Sequence, residues 1–217
     1  MSKAEIISEI ERVGVLPVVR ADSPEEARAV IEAVRAGGIS IIEVTMTVPG
    51  AVNLIRDLSA EYGEDVLIGA GTVLDPETAA ECVEAGAKFI ISPALNIDTI
   101  AFCREHEVVV MPGALTPTEV VTAWNAGADF VKVFPAGAMG GASYLRSLKA
   151  PLPHIKLIPT GGVSMATAAD LIRAGASAIG VGADLVDLKA IRDGRGHEIT
   201  ENARKYLEIV AEARAEN

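Results

Sequence analysis

Short apolar runs alternate along this chain with stretches whose apolar residues recur at helical spacing. Four runs follow an Ala-Gly pair, in "RAGGISIIEV", "EAGAKFIISP", "NAGADFVKVF" and "RAGASAIGVG", with the pairs at 36–37, 85–86, 126–127 and 174–175. Glycine at a helix C-terminus takes the left-handed conformation that ends the helix, so each stretch reads as helix end, turn and strand. The steps between pairs, 49, 41 and 48 residues, are too long for one strand–helix unit. A second set of strands fills them: "VLPVV" (15–19), "VLIGAG" (66–71), "VVVMPG" (108–113) and "IKLIPTG" (155–161). Helix starts fall after the strands. "SPEEA" from Ser23 and "TPTE" from Thr116 have proline at the first helical position and glutamate at the third, which reads as a capping box. "DPET" from Asp75 is a weaker version.

Short apolar strands joined by helices imply a parallel sheet covered on both faces, and eight such units at this length imply a (β/α)₈ barrel. The expected fold class is therefore α/β, a TIM barrel in which residues 1–217 form a single domain. "MSKAEIISEIERV" adds a short amphipathic N-terminal helix with Ile6, Ile7 and Ile10 on one side. A doubly wound open sheet is the structural rival, but no GxGxxG follows the first strand and the four-fold recurrence favours closure.

Two charges interrupt the apolar strands. Lys132 sits in "FVKVF" and Glu43 in "IIEVT". Strands alternate faces with a period of two, so Lys132 shares its face with Phe130 and Phe134 and has no polar face of its own. One reading is a buried salt bridge that holds the barrel together, though desolvation offsets much of such a pair's attraction. The other is chemical. Burial disfavours the charged forms of both groups, which would leave a neutral amine as nucleophile and a carboxyl able to exchange protons. Lys156 and Lys88 are worse placed, since both fall toward the starts of their strands.

Barrel enzymes carry their sites at the C-terminal ends of the strands. Arg20 lies there after the first strand, Thr45 and Thr47 at the second, Thr72 after the third and Pro93 after the fourth. Phe134 ends the sixth. Thr160, Gly161 and Gly162 follow the seventh strand, and Gly182 and Ala183 the eighth. Glycines between strand end and helix leave N–H groups free to face a phosphate, and barrels recurrently grip phosphate after their last two strands.

Composition narrows the partners. The 217 residues carry a net charge of −11, which argues against nucleic acid or an anionic membrane surface and in favour of a small-molecule substrate held by local groups. No signal peptide or membrane span is read, so the cytoplasm is the expected location. Cys82 and Cys103 fall in expected helices and read as small buried residues rather than a disulfide. His106, His154 and His197 show no HxH, HxxxH or CxxC spacing, so no metal and no cofactor are expected.

Taken in order, "GGISIIEVTMTVPGA", "GAGTVLDP", "ISPALN", "MPGALTPTEV", "VKVFPAG" and "PTGGVS" resemble the 2-keto-3-deoxy-6-phosphogluconate (KDPG) aldolase family of class I aldolases, over about residues 13–186. The resemblance implies that Lys132 forms the Schiff base with a 2-oxo acid and that Glu43 is the general acid/base. It implies further that Thr72, Pro93 and Phe134 line the pyruvyl half, that Arg20 meets its carboxylate, and that Thr160, Gly161, Gly162 and Gly182 hold the phosphate. It also implies a homotrimer. Relatives that act on 4-hydroxy-2-oxoglutarate or on the phosphogalactonate epimer are alternatives, and a non-catalytic barrel that binds phosphorylated metabolites is the rival from another class. The chain departs from the pattern at two places. Thr47 stands where many members have a carboxylate-binding arginine, which leaves that task to Arg20 and hydroxyls, and Ala183 stands where many have serine. Asp184 beside it is expected to point outward and cap the helix that follows its strand.

Overall fold

The computed structural model describes residues 1–216. Its strands are β1 (Val15–Val19), β2 (Ile41–Thr45), β3 (Leu67–Gly71), β4 (Phe89–Ile91), β5 (Val109–Met111), β6 (Gly113–Ala114), β7 (Val131–Val133), β8 (Leu157–Pro159) and β9 (Ile179–Val181). The helices are α1 (Lys3–Val13), α2 (Pro24–Ala36), α3 (Ala51–Tyr62), α4 (Pro76–Glu84), α5 (Ile97–Glu105), α6 (Pro117–Ala126), α7 (Ala142–Lys149), α8 (Met165–Arg173), α9 (Leu188–Arg192) and α10 (Gly196–Ala215).

All strand pairs are parallel, as buried apolar runs joined by helices require. One sheet runs β5-β4-β3-β2-β1-β9 and a second runs β6-β7-β8. The sheets join twice. Pro112 separates β5 from β6 within one apolar run, because proline has no N–H for the ladder, yet its carbonyl still accepts from the Lys132 N–H at 2.9 Å. At the other seam a parallel bridge links Thr160 to Gly180. Counting β5 and β6 as halves of one stave, eight staves close the (β/α)₈ barrel that the pattern implies. The seventh run, expected over 155–161, is a strand only over Leu157–Pro159, with the Thr160 bridge beyond its end.

One glycine behaves otherwise than expected. Gly86, Gly127 and Gly175 take φ of 102°, 102° and 94°, but Gly37 is right-handed at −80° and its neighbour Gly38, at 98°, makes the turn. Gly37 is small for another reason. A Cβ there would lie 2.4 Å from Ala203 Cβ and 2.7 Å from the Thr200 carbonyl, so its bare backbone lets α10 lie against the end of α2.

Ser23, Asp75 and Thr116 each accept the N–H three residues on. Of the two expected boxes, Thr116 with Glu119 closes, whereas Glu26 takes the Asp22 N–H and leaves the Ser23 box half made. Helix α1 lies across the N-terminal mouth of the barrel. Its Lys3 pairs with Asp129 just before β7 at 2.9 Å, and its Glu11 pairs with Lys156 just before β8 at 3.0 Å. Lys156 is thereby accounted for at the end opposite the expected site. The apolar residues form one contiguous core, with glycines where large groups cross the barrel. A Cβ on Gly69 would sit 2.1 Å from the Phe89 ring.

Candidate active site

Strand β7 is buried at all three positions, and Lys132 is its middle residue, only 3% exposed. Glu43 on β2 is 1% exposed, and Lys132 Nζ donates to its Oε1 at 3.5 Å across the barrel. The carboxyl has room because β3 carries no side chain opposite it. A Cβ on Gly71 would fall 1.9 Å from Glu43 Oε1. The other oxygen, Oε2, is buried without a hydrogen-bond partner. Unpaired buried acceptors are rare, and this one is free to take a proton or a substrate hydroxyl. Phe134 covers the amine, with Nζ 5.7 Å from the ring centroid. An amine, a half-engaged carboxyl and an aromatic lid together make a dry site for proton exchange and nucleophilic attack on a carbonyl.

On the other side of Phe134 lies a cleft of about 410 Å³, lined by Arg20, Phe134, Thr160, Gly161, Gly162, Gly182, Ala183 and Asp184. Gly161 and Gly162 both take positive φ, 86° and 76°, which glycine alone adopts without strain. Thr160 packs its hydroxyl over β9, where a Cβ on Gly180 would meet it at 2.2 Å. Gly182 has open space where a Cβ would stand. Arg20 is exposed and, among the described residues, makes no ion pair. It lines the same cleft as the glycines.

Lys132, Glu43, Thr47, Thr72 and Pro93 lie outside this cleft lining. Thr45 donates its hydroxyl hydrogen to the Val19 carbonyl at 3.0 Å, so in the 2.7 Å contact with Thr47 the hydrogen comes from Thr47. Thr47 thus presents lone pairs rather than a donor. Thr72, just past β3, is held at a φ of 61°, an uncommon state for a β-branched residue that costs on the order of 1–3 kcal/mol and clusters at functional sites. The Pro93 carbonyl occupies the place a Cβ of Gly113 would need, 2.2 Å away.

Asp184 does not cap the helix after its own strand. That cap is Asp187, which accepts from the Ala190 N–H at 3.0 Å. Asp184 Oδ2 instead accepts from the Met165 N–H at the start of α8, at 3.2 Å, and from the hydroxyl of Tyr206 on α10. Tyr206 is fully buried, and burial together with the bond to Asp184 pushes its phenol well above the usual range. It therefore keeps its proton and donates a hydrogen bond to Asp184. Sequence reasoning missed this residue, for nothing in a lone tyrosine 22 positions away signals that partner.

The family model for KDPG and KHG aldolases matches residues 6–202. The chain belongs to the KDPG and KHG aldolase family. Among its relatives are the 2-dehydro-3-deoxy-phosphogluconate aldolase of Treponema pallidum, 34% identical over 94% of this chain and 97% of that one, and the KHG/KDPG aldolase of Escherichia coli K12, 35% identical over 89% and 91%. The crystal structure of KDPG aldolase from Legionella pneumophila, with pyruvate captured at low pH as a covalent carbinolamine intermediate, superposes with a TM-score of 0.83 at 32% identity, covering 91% of this chain and 96% of that one. Members of the KDPG and KHG aldolase family are carbon–carbon lyases. Lys132, Glu43 and every cleft residue named above fall inside the matched segment.

Proposed function

We propose that this chain is a class I aldolase that cleaves 2-keto-3-deoxy-6-phosphogluconate to pyruvate and glyceraldehyde 3-phosphate through a Schiff base on Lys132. The observation that carries the reading is the Lys132 amine, buried inside the barrel and 3.5 Å from a carboxyl oxygen of Glu43.

In the proposed sequence Lys132 Nζ attacks the C2 ketone, and Glu43 returns the proton needed for the carbinolamine to lose water. The protonated imine is an electron sink. Glu43 then takes the C4 hydroxyl proton, the C3–C4 pair of electrons moves into the imine, and the aldehyde leaves. Protonation of the enamine at C3 and addition of water at C2 release pyruvate and restore the amine. Thr47, Thr72, Pro93 and Phe134 surround the pyruvyl half, and Arg20, in the cleft lining beside Phe134, meets its carboxylate. Thr160, Gly161, Gly162, Gly182 and Ala183 face the distal half.

We extend the reading to one domain acting as a homotrimer in the cytoplasm. Leu74 and Ile97 are exposed on two segments joined by the Asn96 amide on the Leu74 carbonyl at 3.0 Å, and suit contact with a second copy. The free thiols of Cys82 and Cys103 fit a reducing compartment. No described helix is long and apolar enough to cross a membrane. Incubation with pyruvate and borohydride, followed by peptide mass mapping, tests the chemistry. One pyruvyl adduct on Lys132 is expected, and an unmodified Lys132 refutes the mechanism.

A further inference from the structure

The distal end of the cleft holds a feature at odds with tight binding of a phosphate. The charged side chains that line the cleft are Arg20 and Asp184, and with Arg20 on the substrate's carboxylate the distal end is left with an anion and no cation of its own. Asp184 is fastened in place. Its Oδ2 takes the Met165 N–H at 3.2 Å and the Tyr206 hydroxyl, and Tyr206 is buried and rigid in α10. The start of α8 follows directly on Gly161 and Gly162, and its positive end would otherwise favour an anion. A carboxylate of the protein already occupies part of that field. Ala183, between Gly182 and Asp184, adds no hydroxyl. The second carboxylate oxygen, Oδ1, has no partner among the described residues and is an acceptor suited to a substrate hydroxyl.

From this arrangement, and resting on the aldolase reading above, we infer that Asp184 is a specificity residue that favours a distal hydroxyl over a distal phosphate. The enzyme would then cleave unphosphorylated 2-keto-3-deoxy-4-hydroxy acids at rates that rival the 6-phosphorylated substrate. A phosphate near −2 placed beside a fixed carboxylate is repelled. Because Asp184 is exposed, solvent screens that repulsion to a preference on the order of tenfold.

The test compares kcat/KM for 2-keto-3-deoxy-6-phosphogluconate and for the same acid without its phosphate, in the wild type and in Asp184→Asn. Asparagine keeps a carbonyl acceptor for Tyr206 and Met165 while removing the charge. The ratio of phosphorylated to unphosphorylated efficiency is expected to rise about tenfold in the variant, mainly through KM, and inorganic phosphate should inhibit the variant at lower concentration. An unchanged or lower ratio overturns the inference. If Asp184→Asn does not fold, Asp184→Ser offers Tyr206 a neutral acceptor and reads the same ratio. Failure of the aldolase reading looks different, because wild-type enzyme would then take up no pyruvate on Lys132 under borohydride.

Discussion

Replacing Lys132 by methionine keeps most of the side chain's bulk and removes its charge, which strands Glu43 inside the barrel. Glu43 is 1% exposed, and one of its oxygens already lacks a partner. Breaking a buried pair in this way costs about 3–5 kcal/mol. Lys132→Met is therefore expected to lose about 3–5 kcal/mol of stability. Urea unfolding followed by circular dichroism, against wild type, measures it. Lys132→Met with Glu43→Gln should recover most of the loss, because a neutral amide of the same shape replaces the stranded carboxyl. No loss in the single variant, or no recovery in the double one, would refute the idea that burial governs this pair.

Three further outcomes are expected. Gly71→Ala puts a methyl where Glu43 Oε1 now sits, 1.9 Å away, and should lower kcat for aldol cleavage by about 10²–10⁴; activity near wild type would mean the carboxyl can act from elsewhere. Thr116→Ala removes the hydroxyl that caps α6 and should cost about 1 kcal/mol in urea unfolding without altering KM. Burial pushes the thiols of Cys82 and Cys103 up to about 12. At pH 8 the thiolate is then roughly one part in ten thousand, so a disulfide-exchange reagent should titrate almost no thiol in native protein and two after denaturation.

The barrel was legible because its signals are local. An apolar run, an Ala-Gly turn and a capping residue each act within a few positions, and Thr116 with Glu119 forms the expected box. Lys132 and Glu43 stood out because a charge in an apolar strand has no local explanation, and they proved to meet across the barrel. What stayed hidden depends on packing between distant segments. Which of Gly37 and Gly38 makes the turn is decided by α10, more than 160 positions on, pressing on the first of them. The break at Pro112 divides a run that reads as one strand. Asp184 was expected to serve its own helix and instead serves the preceding one, because Tyr206 approaches from the far end of the chain.

The helix beneath the barrel has a corollary for traffic through the site. With Lys3 and Glu11 clamped to Asp129 and Lys156, that floor covers the mouth opposite the cleft. On the proposed mechanism the aldehyde leaves and the water that frees pyruvate enters on the cleft side.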